Sequence, residues 1–337
     1  MTAAVAWVFD MRSPAFGAPR DVLYREAMKM ARFADEIGVD RLIISEHHGS
    51  DDGYCSAPFV LGAAFAAHTQ RIRIMLGAVV LPLHDPVKIA EQIAMLDIVS
   101  GGRLEVAFGA GYIPSEFARF KAPFSERGRL MDEGLDIIVR ALRGEKFVSD
   151  GREVFVQPPP LHGPQLYLAG SKKVTIDRAI EFGCGLFPTD PDLCDYYDQR
   201  CAEKGVSPGP KLVLGPPQCV FVSNDPDKMW AQILPYAMHS ATSYARWSAE
   251  SANSGSLYDG LIDPVQLRSS GIYKVVTPDE CVALARQLSV RNQSLSFCPL
   301  LGGLPPEIGW ESLTLFANAV LPKIHSLSDR AGPENQS

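Results

Sequence analysis

The sequence predicts an α/β protein, a (β/α)8 TIM barrel with insertions, and three observations carry that reading. Apolar strand-like runs alternate with amphipathic helical patterns along the chain. Each run ends in polar or glycine-rich residues, the layout that gathers chemistry at the carboxyl ends of parallel strands. The 337 residues hold eight such units without a linker, which favours one closed barrel over two domains. A doubly wound sheet is the alternative, but no G-x-G-x-x-G opens a helix after the first strand.

The elements follow in order. Val5 to Phe9 reads as the first strand, and Leu23, Ala27, Met30, Ala34 and Ile37 mark one face of a helix that Gly38 ends. Arg41 to Ser45 forms the second strand, with a helix from Pro58 to His68. The third strand, Arg71 to Val80, leads to a helix opened by Asp85-Pro86, in which Asp85 is the expected N-cap. Ser100-Gly101-Gly102 stops that helix, Arg103 to Tyr112 carries the fourth strand, and a helix spans about Ser125 to Leu142.

Residues 144–164 break the rhythm: two short strands flank Asp150-Gly151, a hairpin turn signal, before Pro158-Pro159-Pro160. Alternation resumes with Leu166 to Gly170, a helix through Phe182, and strands at Gly185 to Phe187 and Gln218 to Val222. Asp225-Pro226 starts another helix. Residues 248–270 are rich in Ser, Gly, Asn and Asp, so a long loop is expected there, and a long loop inside a compact fold suits a lid. Ser294 to Leu300 gives the eighth strand and Ser312 to Val320 the last helix. The expected domain is 1–325, with 326–337 a flexible tail.

Composition narrows the function. A net charge of −7 argues against a nucleic-acid partner, whose recognition needs a basic footprint. No run of about 18 apolar residues occurs, so no membrane span is expected, and the apolar start lacks the basic residues of a signal peptide. Seven scattered cysteines, never in a C-x-x-C pair, read as reduced thiols in a cytoplasmic protein. No metal centre is expected; a metal-hydrolase barrel needs an H-x-H on its first strand, and Trp7-Val8-Phe9 supplies none.

The chemistry sits at strand ends. Glu46-His47-His48 follows the second strand, Gly77-Ala78 lies in the third, Gly109-Ala110-Gly111-Tyr112 ends the fourth, and Gly170-Ser171-Lys172 separates the fifth from its helix. An imidazole, with an unperturbed pKa of about 6.5, gives or takes a proton near neutrality. Glycines let a backbone approach a flat ring closely. Free N–H groups at a helix start attract an anion, to which Ser171 and Lys172 would add a hydroxyl and a charge, although Ser171 also suits a plain N-cap.

In their order and spacing, these motifs, with His84-Asp85-Pro86, the Glu91 to Arg103 segment and Glu116-Phe117, resemble the bacterial luciferase-like family. That family comprises flavin-dependent monooxygenases and relatives that use the deazaflavin F420. The resemblance is dense over residues 30–125 and weaker beyond. It implies that His47 is the catalytic histidine, with Glu46 holding it or shaping the pocket and Tyr112 offering its hydroxyl or ring. It implies a cis peptide at Gly77–Ala78 against the flavin ring, cofactor contacts from Gly109, Ala110 and Gly111, and phosphate contacts from Gly170, Ser171 and Lys172. Luciferases proper place an arginine where this chain has Ala110, a departure that keeps F420 open beside FMN.

The leading function is a monooxygenase that uses oxygen and reduced FMN, delivered by a separate flavin reductase, on a small organic substrate. The alternatives are an F420-dependent oxidoreductase that transfers a hydride and a flavin-binding protein without turnover. An F420 tail would need a basic path, and no basic cluster is evident. The family also implies a homodimer.

Overall fold

The structure is a computed structural model that describes residues 3–251, 257–261 and 263–324. In chain order its elements are β1 (Val5–Phe9), α1 (Arg20–Ile37), β2 (Arg41–Ile44), α2 (Pro58–His68), β3 (Arg73–Val80), α3 (Pro86–Ser100), β4 (Leu104–Gly109) and α4 (Pro114–Arg119). Next come α5 (Arg127–Leu142), β5 (Phe147–Ser149), β6 (Arg152–Val154), β7 (Gln165–Gly170), α6 (Lys173–Glu181), β8 (Gly185–Pro188) and α7 (Leu193–Lys204). The chain closes with β9 (Cys219–Val222), α8 (Pro226–Glu250), α9 (Pro264–Ser269), β10 (Tyr273–Val276), α10 (Pro278–Val290), β11 (Leu295–Phe297) and α11 (Pro306–Leu315), which a π-helical turn at Phe316–Val320 extends.

The chain divides into two compact units. One holds Leu42–Leu212. Its strands follow the order β2-β3-β4-β7-β8, and the β3–β4, β4–β7 and β7–β8 ladders are parallel. Parallel neighbours need crossover helices, and α2, α3, α5 and α6 lie between these strands in the chain. Strand residues such as Ile74, Leu76, Val106 and Phe108 are fully or almost fully buried, as expected of strands covered on both faces.

Arg103 anchors β4 at its start. Its guanidinium donates to the carbonyls of Ala66, Thr69 and Ile72 at 2.9–3.1 Å, so it satisfies orphan carbonyls at the end of α2. The expected excursion is the antiparallel β5–β6 hairpin. Asp150 and Gly151 both take positive φ, 49° and 72°, which the two central residues of a type I′ turn require. Asp85 caps α3 by accepting from the N–H groups of Val87 and Lys88, as its sequence position predicts.

The other unit holds the chain up to Arg41, Val213–Ala249 and the described residues from 257 onward. Here β1 pairs with β11 and β9 with β10, both parallel. Phe221, Met229, Ile233, Ala237, Leu267 and Leu304 are among its core residues. Tyr236 packs against Phe16, as does His239, while Arg12 lies 4.9 Å from the ring centroids of both Tyr244 and Trp247.

Two features depart from the sequence reading. The predicted loop at 248–270 is shorter: α8 runs to Glu250, and α9 begins after Asp263, whose carboxylate accepts from Val265 and Gln266. Pro264 at the first helical position and the Asp263 cap start a helix that loop-like composition conceals. Residues 252–256 and 262, and the predicted tail, lie outside the described residues. The structure also adds β10 and α10, the latter opened by a reciprocal Thr277–Glu280 capping box. No helix among the described residues is long and apolar enough to cross a membrane.

Candidate active site

The sequence-predicted site residues all belong to the Leu42–Leu212 unit; Gly77 and Ala78 lie within β3, and the others end or follow β2, β4 and β7. Past Ile44 the chain carries Glu46, His47 and His48 in succession. In extended chain successive side chains point to opposite sides, so Glu46 and His48 share a side and His47 takes the other. The two sides do different things.

On one side, His47 is buried and its Nδ1 lies 3.0 Å from Oε1 of Glu116, a residue of α4 that is 69 positions away. The same carboxylate oxygen accepts the His48 backbone N–H at 2.7 Å. His47 donates its own N–H to the Cys55 carbonyl at 3.0 Å. Tyr54 meets the ring edge-on at 4.7 Å between centroids, and Tyr112 does so at 6.0 Å. The carboxylate at Nδ1 fixes the ring in orientation and favours the tautomer that carries its proton there.

On the other side, Glu46 is wholly buried and accepts from three donors. Oε1 lies 2.6 Å from Nε2 of His48 and 2.6 Å from Nε2 of His84, and Oε2 accepts the Val80 N–H at 3.0 Å. Burial alone pushes the Glu46 carboxyl up. The hydrogen bonds from His48 and His84, with their charges, outweigh it and hold the group down to about 2. Glu46 therefore does not hold His47. It ties the segment after β2 to the segment after β3, and Glu116 holds the histidine instead.

The remaining predicted residues occupy neighbouring strand ends. The Gly77–Ala78 bond is cis, as the resemblance implies, and the β3–β4 register shifts between Gly77 and Val79. Gly109 ends β4. Chain neighbours aside, a Cβ there would meet one atom within 4 Å, the Ala78 methyl carbon at 3.4 Å. The small residues Ala78 and Gly109 thus leave an opening beside the backbone. Gly111 has φ +72°, and a Cβ on it would come within 2.7 Å of both Phe117 and Val80, so the turn that delivers Tyr112 needs glycine.

Gly170 ends β7, and Ser171 and Lys172 are exposed. The N-cap of α6 is Lys172 rather than Ser171, and no side chain caps that helix. The Thr175 N–H donates to the Lys172 carbonyl at 3.0 Å, so the N–H groups ahead of it are the ones an anion would meet.

Sequence reasoning missed Glu116 as the partner of His47 and His84 as a partner of Glu46. A buried carboxylate after a glycine-rich strand end, and a histidine just before an Asp-Pro helix start, were the available signals. Pairing across 69 and 38 residues is not readable from local pattern.

Comparison with known proteins gives the family and the fold. The sequence model of the luciferase-like monooxygenase family matches residues 7–283. The chain is 24% identical over 274 residues to the oxygenase component of a flavin-dependent trigonelline monooxygenase from Acinetobacter baylyi, covering 76% of this chain and 74% of that one. It spans about half the length of the first curated relatives that it matches. Among solved structures, the oxygenating constituent of 3,6-diketocamphane monooxygenase from Pseudomonas putida, in complex with FMN, aligns with TM-score 0.76 at 19% identity, covering 96% of this chain and 99% of that one. An F420-dependent secondary alcohol dehydrogenase aligns with TM-score 0.72 at 16% identity, with 96% and 99% covered. Likenesses at these identities establish the fold, a luciferase-like α/β architecture of the TIM-barrel kind.

Proposed function

Because the chain belongs to the luciferase-like monooxygenase family, we propose that it is a flavin-dependent monooxygenase acting on a small organic substrate with FMN, reduced by a separate flavin reductase. The observation that carries the proposal is the buried His47–Glu116 pair, set among small-residue strand ends.

The residues present fit a flavin on the chemistry and space of the site. The opening at Gly109 and Ala78 admits a flat ring against backbone, and the uncapped start of α6 with Ser171 and Lys172 suits a phosphate. A bound reduced flavin would supply the two electrons that activate oxygen. The protein's part is to bind, orient and manage protons. Glu116 fixes the His47 ring so that Nε2 gives or takes a proton where charge develops. Glu46, His48, His84 and the Val80 N–H hold the adjoining backbone in place. Tyr54 and Tyr112, edge-on to His47, pack the ring and exclude water from its faces.

Two copies of the chain would pair through α2 and α3, whose Val60, Met95 and Val99 are half-exposed or more. Light scattering on purified protein tests this: a dimer mass that Val60→Glu converts to monomer supports it, and a monomeric wild type excludes it.

F420 is the second reading, favoured by Ala110, which stands where luciferases proper have a phosphate-binding arginine. Anaerobic titration separates the two. Micromolar binding of reduced FMN, followed by oxygen consumption on mixing with air, supports the proposal. Binding of reduced F420 alone overturns it in favour of hydride transfer. Binding of FMN without oxidation of any substrate leaves a carrier.

A further inference from the structure

We propose that Glu46, His48 and His84 form a site for one divalent transition-metal ion of borderline softness, of which zinc is the redox-inert member. The sequence reading expects no metal, and the flavin reading neither requires nor supplies one. Three ligand atoms nevertheless converge: the Glu46 carboxylate and one imidazole nitrogen each from His48 and His84 lie within 4.8 Å of one another.

The donor set selects the ion class. Two neutral imidazoles and one carboxylate are the protein ligands of many zinc sites, and the same set serves other first-row ions. Calcium and magnesium prefer six or more oxygens, which this cluster does not provide. The geometry also suits a closed clasp. His48 Nε2 and His84 Nε2 both lie 2.6 Å from the same Glu46 oxygen. Around a tetrahedral ion with bonds of about 2.0–2.1 Å, ligand atoms sit roughly 3.3 Å apart, so each ring need withdraw only about 0.7 Å. On coordination the two Nε2 lone pairs turn to the metal, and each neutral ring carries its proton on Nδ1.

The surroundings complete the site. The Val80 N–H holds the other Glu46 oxygen at 3.0 Å, the kind of outer contact that fixes a ligating carboxylate. Phe120 lies edge-on to His48 with centroids 4.6 Å apart and packs that ring in place. Access is graded: the Glu46 side chain is 0% exposed, His48 9% and His84 23%, so the ion would enter past His84, with water as a fourth ligand. Bound there, the metal would clasp the segment after β2, which also carries His47, to the segment between β3 and α3.

The test uses full-length protein stripped with a chelator and titrated with Zn2+ against a chromophoric competitor, then with Co2+ to read the ligand field. One ion per chain at micromolar or tighter affinity, with visible Co2+ absorption, is the expected result. His84→Gln and His48→Gln each keep an N–H for Glu46 but lose the imidazole, and each should weaken binding more than about 100-fold. His68→Gln, an exposed histidine elsewhere, should not. Circular dichroism checks that each variant folds. If neither does, the wild-type titration decides: no ion bound below millimolar overturns the site, and a stoichiometric Co2+ spectrum supports it. Wild-type affinity in both folded glutamine variants, or binding lost in His47→Ala alone, also overturns it.

Discussion

The β2–β4 rim and the β7 rim of the same unit are built on opposite plans. At β2–β4 the histidines of the candidate site are buried or half-buried and each is held by a carboxylate: His47 by Glu116, and His48 and His84 by Glu46. At β7 the chain offers Ser171 and Lys172 to solvent and leaves the start of α6 without a side-chain cap. Under the proposed function, the difference separates two tasks. Proton transfer needs a group fixed before substrate arrives, since misorientation costs rate. Holding a phosphate needs only donors and positive potential near a mobile, well-solvated anion, and the ligand can order those groups itself.

The comparison makes its strongest prediction at the first rim. His47→Ala should lower turnover by about 100- to 10,000-fold, the usual contribution of a positioned acid–base group, while leaving the fold and cofactor affinity nearly unchanged. Turnover within threefold of wild type would remove the proton-transfer role. Glu116 comes next and breaks the pair from the other side. Glu116→Gln keeps an oxygen acceptor for Nδ1–H and should cost roughly 10-fold in kcat, whereas Glu116→Ala should cost roughly 100-fold, both with KM little changed. Equal losses in the two variants, or an effect confined to KM, would mean that Glu116 merely supports the backbone through the His48 N–H.

How much of this was legible in the sequence also follows the two plans. Elements specified by local chemistry could be read almost to the residue: the Pro58 start of α2, the Asp85-Pro86 start of α3 and the Asp150-Gly151 hairpin each rest on a proline, cap or turn signal a few residues long. The start of α6 was legible as well, because Gly-Ser-Lys before a helix is itself a local pattern, although the cap fell on Lys172 and not on Ser171. The partners at the β2–β4 rim were not. Glu46 stands beside His47 in the sequence, yet alternation along extended chain turns them apart and hands His47 to a carboxylate on α4. Adjacency in sequence was the misleading cue, and tertiary approach of strand ends decided the pairing.

The opening beside Ala78 and Gly109 supplies the third prediction. Gly109→Val places a branched side chain where only the Ala78 methyl lies within 4 Å, apart from chain neighbours. If a flat ring lies there, its affinity should fall by about 10- to 100-fold, equivalent to an overpacking cost of roughly 1–3 kcal/mol, with little loss of thermal stability in the free protein. The reverse pattern, with stability lost and affinity kept, would show that the space belongs to the core rather than to a ligand.

The smallest effect is expected at β7 and tests the open plan directly. Ser171→Ala and Lys172→Ala each remove one exposed group near the α6 N-terminus, where an exposed charge or dipole contributes about 0.3–1 kcal/mol. Each variant should weaken binding of FMN by about 2- to 5-fold, and the Lys172 effect should shrink as salt is raised from 0.01 to about 1 M, because exposed charge is screened. Riboflavin, which lacks the phosphate, should bind all three proteins alike. A variant that weakens riboflavin as much as FMN would place Ser171 or Lys172 against the ring rather than the phosphate, and the division of labour between the two rims would then have to be redrawn.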